Sequence, residues 1–165
     1  MDNQILTVVH AGFEVSGTAA YLAERGVPVQ QIAEQALTQA RQAALERIRQ
    51  QHAQALQQLS GDATGEERDT WPVQLQAALA YTAGTASDSQ HAMIAAMLVK
   101  DETPPIWAAK VLAKNAARQQ LIGVAQGIKR RAEKAIEVAA DSTAIDTALA
   151  LAKEEAMAAM RQFTQ

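Results

Sequence analysis

The chain has 165 residues, 15 Lys and Arg against 18 Asp and Glu for a formal charge of −3, and no cysteine. That length makes one domain or two very small ones. The missing thiol excludes a disulfide scaffold, a thiolate metal site and a cysteine nucleophile, and the acidic balance argues against a general nucleic-acid binder, whose phosphate contacts need surplus cations.

Ala occupies 37 positions and Gln 19, whereas aromatic residues supply only 4%. Much of the apolar content is therefore methyl groups and much of the polar content uncharged amide, a composition that favours helix. The opening Met1-Asp2-Asn3-Gln4 carries an acid where a signal peptide needs bases. No apolar run approaches the roughly 20 residues that span a bilayer, so the expectation is a soluble, unprocessed protein made in the cytoplasm.

In chain order, strand character is confined to Ile5-Leu6-Thr7-Val8-Val9 and Gly12-Phe13-Glu14-Val15, which predict a small hairpin or an extended arm. A short helix follows over 18–25, closed by Gly26 and by Pro28 two positions later. From Pro28 to Leu59 the apolar residues Val29, Ile32, Leu37, Ala44, Ile48, Leu56 and Leu59 recur at helical spacing, with His52 on the same stripe. One helix of about 31 residues, roughly 46 Å long, is predicted there. The segment 61–69, with two glycines and four acids, reads as a linker between an N-terminal segment 1–60 and a C-terminal helical domain 70–165.

In the second half, Asp69 or Thr70 is placed as the cap of a helix that holds Pro72 in its first turn and runs to Gly84. Ser87 and Gln90 have the spacing of a capping box for a helix from Asp88 to about Val99. A long helix is expected over Ile106 to Ala139, where Gly123 and Gly127 imply either close backbone packing or a bend. Asp141-Ser142-Thr143 opens the last helix, with Asp146 three residues after Thr143. The fold class is thus mainly all-α: an elongated helical protein with two long helices and a short extended or hairpin segment at its start.

Candidate sites are sparse. His10, His52 and His91 fall in three separate elements without convergent ligands, so no metal is expected, and His52 reads as a polar position in a helix seam. No Gly-x-Ser-x-Gly turn, phosphate loop or acid pair in an apolar setting occurs, and neither catalytic residues nor a cofactor is predicted. Lys129, Arg130, Arg131 and Lys134 form the densest basic cluster, with Glu133 and Glu137 at pairing distance along the helix. The cluster is either a solvated face or a contact for an acidic partner. Trp71 and Trp107 are the only tryptophans, and Trp71, beside a helix-starting proline, is expected to be a packing anchor.

The order Trp71-Pro72-Val73-Gln74, an Ala-rich helix ending in Tyr81, then Ala109-Lys110-Val111-Leu112-Ala113-Lys114-Asn115-Ala116, Gly123 and Gly127-Ile128-Lys129-Arg130-Arg131 resembles the C-terminal helical segment of bacteriophage tail-fibre and tail-fibre-assembly proteins. It covers residues 70–165. The connection Ala86-Ser87-Asp88-Ser89 and the late Thr103-Pro104-Pro105 differ from the usual pattern, and residues 1–69 are outside the resemblance. The resemblance implies a non-enzymatic protein that acts in fibre assembly by binding other tail proteins, or a structural part of the virion tail fibre or baseplate. A small phage-encoded protein that binds and regulates a host protein is the remaining class. The expected partners are tail proteins and a second copy of the chain, through Trp71, Trp107 and the 129–134 basic cluster. Nucleic acid, membrane and small-molecule substrate are not expected, and the implied location is the host cytoplasm during assembly or the virion tail.

Overall fold

The structure is a computed structural model that describes residues 4–58 and 64–163. Its elements are β1 (Leu6–His10), β2 (Phe13–Gly17), α1 (Ala19–Glu24), α2 (Val29–Gln58), α3 (Gly65–Thr82), α4 (Asp88–Met97), α5 (Pro104–Glu137) and α6 (Ser142–Phe163). It is mostly helical with one antiparallel hairpin. Leu59, predicted as the last residue of the long helix, and 61–63 of the predicted linker lie outside the described residues. The chain forms two compact units, one of residues 1–53 with 126–165 and one of residues 54–125, so the boundaries fall inside α2 and α5. This differs from the sequence-based division at 61–69.

In the first unit, β1 and β2 pair with His10 opposite Phe13, which leaves Ala11 and Gly12 as a two-residue loop at φ 51° and 84°. Positive φ at both positions is the primed turn whose twist matches that of the strands. Gly17 is required for a different reason: a Cβ there would run into the Tyr21 ring. Leu6 and Val8 bury one face of the hairpin against Leu22, Val27 and Ile32. The Gln31 side-chain amide donates to the Val9 carbonyl oxygen at 2.8 Å and ties the hairpin to α2.

The larger core of this unit joins α2 (Ala44, Ile48), α5 (Ala132, Ile136), Ala139 and α6 (Ile145, Ala148, Ala152). Five of these eight side chains are alanine, and three isoleucines supply most of the bulk. Arg41 on α2 donates from its guanidinium to the Ala139 carbonyl oxygen, closing the C-terminus of α5 where cations are favoured. Asp141, the first residue of the predicted opening Asp141-Ser142-Thr143, caps α6 by accepting from the Ala144 amide at 2.8 Å.

The second unit is built from α3, α4 and the first part of α5, around Ala77, Ala78, Ile94, Trp107 and Ala108. The capping box of Ser87 and Gln90 forms as its spacing predicts. The start of α3 is a correction to the sequence reading. The helix begins at Gly65, not at 69 or 70, so 65–69 of the predicted linker is its first turn. Thr64 and Glu67 form a reciprocal capping box, with Glu67 N on Thr64 Oγ1 at 3.2 Å and Thr64 N on Glu67 Oε2 at 2.8 Å, which satisfies two end donors. Pro72 consequently sits inside the helix rather than in its first turn. A second correction concerns α5, which is continuous through Gly123 and Gly127. A Cβ at Gly123 would meet nothing within 4 Å, and one at Gly127 would meet only the Arg131 side chain, so neither glycine serves close backbone packing.

Candidate functional site

Within the second unit, α3, the α4–α5 connection and α5 line a half-open cavity of about 610 Å³ with apolar, cationic and amide groups and one carboxylate. This is within the size range of ligand sites, roughly 300 to 1,000 Å³. Trp71, Gln74 and Leu75 come from α3, and Val99 and Glu102 from the connection. Trp107, Val111, Asn115 and the cations Lys110, Lys114 and Arg118 come from α5. The three cations are four residues apart, so the helix repeat stacks them along one face with a rise of about 6 Å between neighbours.

The two tryptophans have different environments. Trp107 is 6% exposed and belongs to the core of the unit while also lining the cavity. Trp71 is half-buried, outside the buried cluster, and its ring lies 4.4 Å below the Arg118 guanidinium carbon. The expectation that Trp71 anchors the packing is thus corrected: Trp107 has that role, and Trp71 forms a wall of the cavity. Trp71 lies seven residues before Ala78, on the same face of α3 but about 10 Å further along its axis, outside the cluster that Ala77 and Ala78 form.

Glu102 organises the rim. Its carboxylate accepts from Lys110 Nζ at 2.7 Å and from the Val99 amide at 3.4 Å, and its side chain is only 8% exposed. The hydrogen bond from Lys110, helped by the Val99 amide and the charges of Lys110 and Lys114, holds the carboxyl below the usual range against the opposing effect of burial. The loop that carries it turns through Asp101 at φ 66°, a conformation Asp tolerates better than most residues. Lys114 and Arg118 are in no ion pair within 4 Å among the described residues. Arg118 Nε is shut off from solvent with no acceptor among the described residues. The cavity therefore carries three cations and one carboxylate in a chain whose overall charge is −3.

The basic cluster of α5 lies in the first unit and is partly occupied. Lys129 pairs with Glu133 at 3.4 Å as its spacing predicts, Glu133 also faces Arg49 at 3.6 Å, and Arg131 binds Glu155 on α6. Arg130 and Lys134 are exposed, and Glu137 is in no ion pair within 4 Å among the described residues. His52 stands in this neighbourhood with Nε2 buried and without a hydrogen-bond partner among the described residues. Burial first, then the charge of Lys129, lowers its pKa, with Glu133 acting in the opposite sense. His91 packs edge-on to Tyr81 at 5.8 Å between ring centres. Among the described residues no group of three or more His, Asp or Glu side chains is arranged to hold a metal ion, and no helix is long and apolar enough to cross a membrane.

The sequence reading singled out both tryptophans but attached them to no common site, and it missed Lys110, Lys114, Arg118 and Glu102. Comparison of the chain with protein-family models, with characterised proteins and with solved structures finds no match.

Proposed function

We propose that this is a non-enzymatic binding protein that acts in bacteriophage tail-fibre assembly by holding a segment of another tail protein. The observation that carries the binding part is the cavity between Trp71 and Trp107, walled by the Lys110, Lys114 and Arg118 row. It combines apolar surface with two cations, Lys114 and Arg118, that have no carboxylate within 4 Å among the described residues, the pairing used to capture a chain segment and fix its orientation. The tail part is supported by the resemblance of residues 70–165 to tail-fibre and tail-fibre-assembly segments.

The test is purification of the tagged chain from phage-infected cells, with mass spectrometry of the co-purifying proteins and, separately, of finished virions. A fibre protein in the complex and no copy in virions is the result expected of an assembly factor. Copies in the virion would make it a structural component of the tail. A stoichiometric host protein with no tail protein would overturn the reading in favour of host regulation.

A further inference from the structure

We infer that the cavity of the second unit takes a short acidic peptide segment of the pattern apolar-x-acid-x-acid, laid extended along α5. The inference rests on the binding reading above and not on the assignment to phage tails.

Charge selects the ligand class. Of the three cations on the wall, only Lys110 has a carboxylate within 4 Å among the described residues, namely Glu102. Lys114 and Arg118 remain to be neutralised, and at a Debye length of about 8 Å in physiological salt a ligand inside the cavity senses these two charges more than the distributed −3 of the chain. Arg118 is also held in place. Its guanidinium lies on the Trp71 ring at 4.4 Å with Nε covered, so little side-chain freedom is lost when a carboxylate meets its terminal N–H groups.

Spacing selects the form. Lys114 and Arg118 are one helical step of four residues apart, a rise of about 6 Å. Side chains on one face of an extended chain repeat every two residues, about 6.6 Å. Two acids separated by one residue therefore meet Lys114 and Arg118 in register. Continuing two residues further the same way, about 6.6 Å, brings the chain level with Lys110, which Glu102 already holds, and with Val111, one helical turn from Trp107. An apolar side chain belongs there.

The aromatic groups argue against a nucleotide. Recognition of bases by tryptophan needs a free ring face. Trp107 is 6% exposed, and Arg118 covers one face of Trp71, which leaves at most one ring face to a base and none to sandwich it. What the cavity offers is an apolar wall with two unpaired cations, which suits carboxylates on a peptide better than a stacked base.

Both tryptophans of the chain line the cavity, so intrinsic emission of the full-length protein reports on this site. The probes are the acetylated, amidated pentapeptide Phe-Ser-Glu-Ser-Glu and its reversed order, the same peptides with Gln in place of Glu, and, separately, AMP and an oligothymidylate. Saturable change of the tryptophan emission by an acidic peptide below about 1 mM is expected. It should weaken about tenfold in Lys114→Gln, an exposed position outside the core whose folding is checked by circular dichroism, and weaken again as salt is raised. No response to either acidic peptide, an equal response to the Gln peptides, or tighter binding of AMP or the oligonucleotide would each overturn the inference. Peptide binding without a tail protein in the infected-cell complex would sink the tail assignment alone. A tail-protein complex unaffected by Lys114→Gln, with no peptide response, would sink this inference and leave that assignment standing.

Discussion

The pair Trp71→Ala and Trp107→Ala separates the cavity wall from the core that holds it. The second unit has five buried side chains in its cluster, of which Ala77, Ala78 and Ala108 are small, so Ile94 and Trp107 are its two large ones. Removing a buried tryptophan costs about 3 to 5 kcal/mol, transfer and cavity terms together. Against a total stability on the order of 5 to 15 kcal/mol for a domain, losing one of two large core side chains should leave residues 54–125 poorly folded. Trp71 is half-buried and outside that cluster, so its loss removes part of a transfer term and the contact with Arg118. A partly exposed cation on a ring is worth about 0.5 to 1 kcal/mol, and the expected total for Trp71→Ala is about 1 to 2 kcal/mol. Urea titration followed by circular dichroism, with hydrogen exchange to localise the change to 65–125, measures both. A larger loss in Trp71→Ala than in Trp107→Ala would refute the assignment of wall and core.

Three further outcomes follow from single positions. Gly123 lies within α5 with open space where its Cβ would be, so Gly123→Ala should stabilise by about 0.5 to 1 kcal/mol, read as a higher urea midpoint. Ala11 holds φ 51° in the hairpin turn, so Ala11→Gly should gain about 1 kcal/mol by removing the left-handed strain, and a lower melting temperature would show that the turn differs. The pKa of His52 is lowered below its ordinary 6.5 by burial and Lys129, so the unfolded chain binds the proton more readily than the folded one. The stability associated with the neutral ring is therefore complete above about pH 6.5 and declines as pH falls from there towards the lowered folded-state value. His52→Gln should flatten the change in urea midpoint between pH 7.5 and 5.5, and an unchanged slope would count against the buried ring.

Most helices were legible because their ends carry local chemistry. The Ser87 and Gln90 box, Gly26 with Pro28, and Asp141 each act within one turn of the chain, so the residues that form the cap are also the residues that announce it. The start of α3 carried the same kind of signal in Thr64 and Glu67, but it lay in a stretch whose glycines and acids read as a linker. A satisfied capping box outweighs two glycines there, since Gly65 falls in the first turn, where its lack of a side chain matters least. What periodicity does not supply is which alanines are buried. With Ala at 37 positions almost every face of every helix is apolar, so the cores around Ala44, Ala132 and Ala148, or Ala77 and Ala78, emerge only when the helices are assembled.

The cavity has the same origin. Its cation row at 110, 114 and 118 is a helical repeat visible in the sequence, but it is less dense than 129–134, and density of like charge is a poor guide to an available site. Among the described residues Glu133 and Glu155 already engage two of the four cations of the denser cluster, whereas along the sparser row only Lys110 is engaged. What distinguishes the row is the wall opposite it. Trp71 reaches Arg118 across 47 positions because Ala77 and Ala78 on α3 and Trp107 and Ala108 on α5 share one core, and the capping of α3 at Thr64 extends the helix far enough back to include Trp71 well inside it. The folding determinants of the second unit are therefore also its binding determinants. Substitutions that shift α3 against α5, such as enlarging Ala78, should lose peptide binding together with stability, while Lys114→Gln should lose binding alone.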